Sequence, residues 1–125
     1  MRLLLDTHVL IWWLEDPMLL TDKARLAIAD PTHTVMVSAI SFLEIALKEA
    51  KGKLKMPSDS EEKLADCRFG ELPLTIAHAT VLKDIPILHG DPFDRLLIAQ
   101  AKAEKLTLVT RDRALSRYGI EMIVA

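Results

Sequence analysis

Short apolar runs alternate with longer segments of mixed character along this chain. RLLL, at Arg2–Leu5, reads as a strand. Asp6 ends it and is placed to cap a helix over Thr7–Glu15. After the Asp16-Pro17 turn, Thr21 caps a second helix, DKARLAIAD, which stops before Pro31. TVMVS, at Thr34–Ser38, is the second strand. A strongly helical segment follows over Ser41–Lys51 and stops at Gly52. Beyond the polar link KLKMPSDSEEK, Ser60 is expected to cap a helix reaching Phe69. Leu72–Leu74 reads as a short strand, and Thr75 caps the helix IAHATVLKD. Ile85–Gly90 is loop, and Asp91-Pro92 opens a helix through Lys105. TLVT at Thr107–Thr110, a short helix ALSRYG and a final strand EMIVA complete the chain.

Strands that are short and apolar, alternating with helices, predict an α/β fold with a mainly parallel sheet covered on both faces. With 125 residues, no repeat and no low-complexity tract, residues 1–125 read as a single domain. No apolar stretch has the ~18 uncharged residues of a membrane span. Asp6 and His8 break the N-terminal apolar run, so it reads as the first strand of a cytoplasmic protein, not as a secretion signal. Cys67 is the only cysteine, which excludes an intramolecular disulfide and a cysteine-based zinc cluster. A net charge of −2 rules out a polycation, so any nucleic acid must be held by a local basic patch or through metal ions.

Four acids interrupt this pattern at related places. Ligands of open parallel sheets bind outside the carboxyl ends of the strands. Asp6 follows the first strand and Asp112 follows TLVT, so both lie at that edge. Either one is also explained as a helix cap. Asp94 sits in the first turn of its helix, where the dipole favours an acid. It shares a stripe with Leu97, Ile98 and Ala101, at the mouth of a face expected to be buried. Glu44 pairs with Lys48 at i, i+4, which fits a solvated face, yet it also aligns with Ser38 and Ser41 just after the second strand. Carboxylates sharing one cleft repel and raise one another's pKa values. A hard divalent cation removes that conflict, and an all-oxygen donor set selects Mg²⁺ or Mn²⁺ over zinc.

LLLDTHVLIWWL, SAISFLEIALK, HGDPFDRLLIAQA and TLVTRD, in this order and spacing, resemble the four motif blocks of PIN-domain nucleases. The wording of the third block is similar to the VapC toxins of bacterial toxin–antitoxin pairs. The resemblance spans nearly the whole chain. It implies a three-layer α/β/α fold and a Mg²⁺- or Mn²⁺-dependent endoribonuclease that leaves a 5′-phosphate and a 3′-hydroxyl. Carried over, it implies Asp6, Glu44, Asp94 and Asp112 as the catalytic and metal-holding acids, with the hydroxyls of Thr7 and Thr110 assisting. Asp91 is taken as the helix cap. A VapB-like or other small antitoxin and a homodimer are also implied.

Arg95, Arg111 and Arg113 stand beside the acidic blocks and are the candidates for holding RNA; Lys48, Lys51, Lys53 and Lys55 form a second basic run. His8 and His89 are close enough in sequence to the acids to meet substrate, and no histidine pair has zinc-protease spacing. Trp12 and Trp13 point about 100° apart and read as core or interface residues. Competing readings are a receiver domain, which would want an adjacent acidic pair after the first strand, a phosphatase with D-x-D there, a PIN-type RNA-processing nuclease outside any toxin pair, and a binding domain without catalysis.

Overall fold

The structure is a computed structural model describing all residues, 1–125. Five strands form one sheet: β1 (Arg2–Leu5), β2 (Thr34–Ser38), β3 (Gly70–Leu72), β4 (Thr107–Thr110) and β5 (Met122–Val124). Their order is β3-β2-β1-β4-β5 and every pairing is parallel. This order differs from the 2-1-3-4-5 arrangement of receiver domains and removes that reading. β1 lies at the centre, with Leu4 opposite Met36 on one side and Leu108 on the other.

Six helices complete the fold: α1 (Thr7–Glu15), α2 (Asp22–Ala29), α3 (Ala39–Ala50), α4 (Ser60–Asp66), α5 (Ile76–Leu82) and α6 (Pro92–Glu104). Alternation along each strand sends side chains to opposite faces. Leu3, Leu5, Val35, Val37 and Val109 meet Val9, Leu10 and Leu14 of α1 and Ile28 of α2. Leu4 and Leu108 meet Leu97, Ile98 and Ala101 of α6 on the other face. α3 contributes Ile45 to the first cluster and Ile40 to the second, so it wraps the edge between the two layers. The result is the three-layer α/β/α arrangement the sequence predicts, with two separate apolar cores.

Boundaries shift where capping decides them. α3 begins at Ala39, not Ser41, because the Ser38 hydroxyl at the strand end accepts the Ile40 N–H at 3.0 Å. α4 ends at Asp66, short of Phe69. Arg68 turns left-handed (φ 56°), and the chain enters β3 at Gly70, not Leu72. A Cβ on Gly70 would stand 2.6 Å from the Met36 sulfur, so any larger residue there would have to displace the flexible Met36 side chain. Arg113–Tyr118 winds as a 3-10 turn in place of a helix from Ala114, ended by Gly119 at φ 71°.

A candidate metal-dependent active site

The carboxyl ends of β1 and β4 and the N-terminus of α6 meet in one open cleft of about 410 Å³. Asp6, His8, Trp12, Asp91, Asp94, Arg111 and Asp112 line it. Three of the four acids predicted for the site are therefore together: Asp6, Asp94 and Asp112. Each owes its position to a local reason. Asp6 leaves the central strand and caps α1, accepting the Val9 N–H at 2.8 Å. Asp112 caps the 3-10 turn through Ala114 N–H at 3.0 Å. Asp91 caps α6 by accepting the N–H groups of Phe93 (2.9 Å) and Asp94 (3.2 Å), which sets Asp94 in the first turn facing the cleft. Capping and site building are thus compatible, and Asp91, taken from sequence as a cap alone, also lines the cleft.

The electrostatics of this edge are unfavourable as they stand. Burial raises the Asp6 carboxyl above its usual range; hydrogen bonds from Thr110 and Val9 oppose this, and the charge of Glu44 adds to it. Asp94 is raised to about 6, first by burial, then by the charges of Asp91 and Asp6. His89 opposes this rise from 3.4 Å, its Nε2 facing Asp94 Oδ2. The Tyr118 hydroxyl accepts the Leu88 N–H at 3.3 Å and is hydrogen-bonded with His89 Nδ1 at 2.7 Å. His89 is a site neighbour held by Tyr118, a contact invisible in sequence because the two lie 29 residues apart.

Glu44 is placed differently from expectation. It is only 2 % exposed, so the solvated-face reading is wrong. Nor does it line the cleft: Lys48 Nζ sits 2.6 Å from its Oε2. Its charge acts from behind Asp6. The two hydroxyls also divide. Thr110 bonds to Asp6 and accepts the Asp112 N–H at 3.1 Å, joining two acids. Thr7 instead donates to Ser41 Oγ at 3.0 Å, which fastens α1 to α3 away from the cleft.

The arginines separate as well. Only Arg111 reaches the cleft, and its guanidinium is already engaged: Nε donates to the Ala125 carbonyl (3.0 Å), Nη2 donates to the Leu19 carbonyl, and Cζ stacks 4.0 Å over the Trp12 ring. Arg95 donates to the Ile85 carbonyl at 3.0 Å and lies off the cleft. Arg113 is exposed and lies outside the lining. The tryptophans divide too. Trp13 packs on Phe69 and donates to Cys67 Sγ at 3.3 Å, as a core residue does. Trp12, expected in a core or interface, is a wall of the cleft.

No three His, Cys, Asp or Glu side chains converge tightly enough to form a closed metal cage. Mg²⁺ does not need one. It keeps several waters and takes one or two carboxylates directly. A cleft of oxygen donors in which Asp6 and Asp94 are both pushed toward neutrality fits such a hydrated dication and no soft metal.

The PIN domain family matches residues 3–121. This chain belongs to that family. The PIN domain is 36 % identical over 120 residues to Ribonuclease VapC22 of Mycobacterium tuberculosis, covering 92 % of this chain and 90 % of the relative. Among solved structures it resembles VapBC2 of Rickettsia felis bound to a promoter DNA fragment (TM-score 0.76, 18 % identity, 99 % and 98 % of the two chains). It also resembles DNA-bound VapBC of Salmonella typhimurium (TM-score 0.70, 18 % identity, 99 % and 98 %). At these identities the structural likeness speaks to the fold. No helix of the PIN domain is long and apolar enough to cross a membrane.

Proposed function

We propose that this PIN domain is a Mg²⁺- or Mn²⁺-dependent endoribonuclease of the VapC type, restrained by a small VapB-like antitoxin. The observation that carries the reading is the meeting of Asp6, Asp94 and Asp112 in one cleft with Asp94 raised to about 6. A protein does not retain mutually repelling carboxylates at that cost without something that neutralises them. The 36 % identity to a ribonuclease over most of both chains supports RNA as substrate, and the likeness to VapBC complexes supports the partner.

Asp6, Asp94 and Asp112 would hold the cation, directly or through waters. When bound, it supplies Lewis acidity at the scissile phosphate and reverses the sign of the cleft toward an anionic substrate. The chain's own residues do the rest. Asp91 fixes the first turn of α6 and so the direction of Asp94. His89 stands beside Asp94 and favours its ionised form. Thr110 ties Asp6 to the backbone of Asp112, so both move as one unit. Glu44 anchors Lys48 and adds negative potential behind Asp6. Trp12 and Arg111 form a rigid wall that narrows access from one side.

Incubating the purified protein with total RNA, in Mg²⁺ and in chelator, tests this reading. Discrete cuts bearing 5′-phosphate ends in Mg²⁺, absent in chelator and absent on adding the antitoxin encoded beside it, are expected. Cutting that persists at the same sites in chelator contradicts it.

A further inference from the structure

The cleft has an acidic side and an aromatic side, and the acids explain only one of them. His8 is exposed on the first turn of α1, and its ring centroid lies 5.7 Å from that of Trp12, one helical turn on, at an interplanar angle of 39°. Arg111 covers Trp12 from the other direction at 4.0 Å. Two backbone carbonyls, of Ala125 and Leu19, hold that guanidinium in plane. The three side chains thus form a wall of π-faces in which Arg111 and Trp12 are fixed against each other before anything binds, so those two lose little rotamer freedom on contact. All three border the same cleft as Asp6, Asp94 and Asp112.

We propose that the His8–Trp12–Arg111 wall is a base subsite, which takes one unstacked nucleobase of single-stranded RNA next to the phosphate held over the acids. This rests on the nuclease reading above and deepens it. Bases present flat π-faces of any sequence, and aromatic rings and arginine planes are the surfaces on which single-stranded RNA stacks. A cleft of about 410 Å³ has room for a nucleotide-sized ligand. Arg111, expected from sequence to grip a phosphate, instead presents a face fixed by Trp12. The wall positions whichever nucleotide lies beside the cut, making His8 and Trp12 substrate-positioning residues.

Binding of a short single-stranded oligoribonucleotide with a non-hydrolysable linkage at the cut site, measured by anisotropy in Mg²⁺ with Asp6, Asp94 and Asp112 intact, tests this. The oligonucleotide is used intact or with one abasic ribose scanned across the cut site. Removing the base beside the cut is expected to weaken binding roughly tenfold. In His8→Ala and in Trp12→Leu that penalty shrinks several-fold, because each removes one of the faces on which the base stacks. His8 is exposed, so His8→Ala keeps the test valid even where Trp12→Leu fails to fold. An abasic penalty of unchanged size in His8→Ala and Trp12→Leu overturns the base subsite while leaving the nuclease reading intact. An oligonucleotide that neither binds nor, with natural linkages throughout, is cut by the wild-type protein in Mg²⁺ overturns both.

Discussion

The two halves of α6 treat polarity in opposite ways. At its N-terminus Asp91 and Asp94 share a cleft with Asp6 and Asp112, and Asp94 is raised to about 6 by burial and by the charges of Asp91 and Asp6. Two turns on, Gln100 is fully buried and fully satisfied. It accepts from the Ser38 hydroxyl and donates to the Pro73 carbonyl and to His78 Nδ1, both at 3.3 Å. His78, also fully buried, accepts the Thr75 N–H at 3.1 Å and directs Nε2 to Glu104 Oε1 at 2.9 Å. This seam joins α3, α5 and α6 beneath the site. Buried groups with every partner in place specify a structure. Groups left in mutual repulsion mark a place where something else must bind.

Substitutions at the two places should therefore fail in different currencies. Asp6→Asn or Asp94→Asn is expected to lower RNA cleavage on the order of 10³-fold, about 4 kcal/mol of barrier, with circular dichroism unchanged. Asparagine still caps a helix, so α1 survives the change at Asp6. Gln100→Leu should do the reverse. It leaves the buried Ser38 hydroxyl proton without its acceptor, costing about 1–3 kcal/mol by urea unfolding, while each folded molecule still cleaves. Lys48→Met sharpens the contrast at a third place. It leaves Glu44 buried without a counter-charge, for about 1–3 kcal/mol since Lys48 is itself partly exposed. Pairing it with Glu44→Gln should recover most of that loss in a double-mutant cycle.

The smallest effect has the opposite sign. Asp94 has its folded pKa raised from 3.8 to about 6, so ionising it disfavours the folded state. The penalty is absent below pH 3.8, grows through the interval, and is complete above pH 6. Asp94→Asn should therefore stabilise the metal-free protein at pH 7.5 by on the order of 1 kcal/mol, reduced from the full shift by solvent screening. A thermal melt should rise by about 3–6 °C, with no gain near pH 4. Lost activity with gained stability is the signature of a functional acid.

How much of this was readable in the chain depends on whether the cause was local. Alternating apolar runs and caps such as Thr21, Thr75 and Asp91 gave nearly all the elements, because caps act within three residues. The meeting of Asp6 and Asp112 was legible because carboxyl ends of parallel strands share one edge, whereas Asp94, in the first turn of α6, was joined to them as a site by the family resemblance. What sequence missed was set across long separations. Glu44 looks solvated by spacing, and only the wrapping of α3 around the sheet edge buries it. Arg111 looks like a free rim charge, but Leu19 and Ala125 take its donors. Trp12 and Trp13 are indistinguishable by type, and only the position of Arg111 tells which one faces the cleft.

Calorimetric titration of Mg²⁺ into the metal-free protein addresses the central claim most directly, that the unsatisfied acids exist for a cation. At pH 7.5 the wild type should bind, binding should weaken as pH falls through 6 and Asp94 protonates, and Asp6→Asn and Asp94→Asn should each lose it, while Gln100→Leu keeps it in the folded fraction. Mg²⁺ binding that is equally strong in both acid variants, or that does not change between pH 7.5 and 5, would contradict the account.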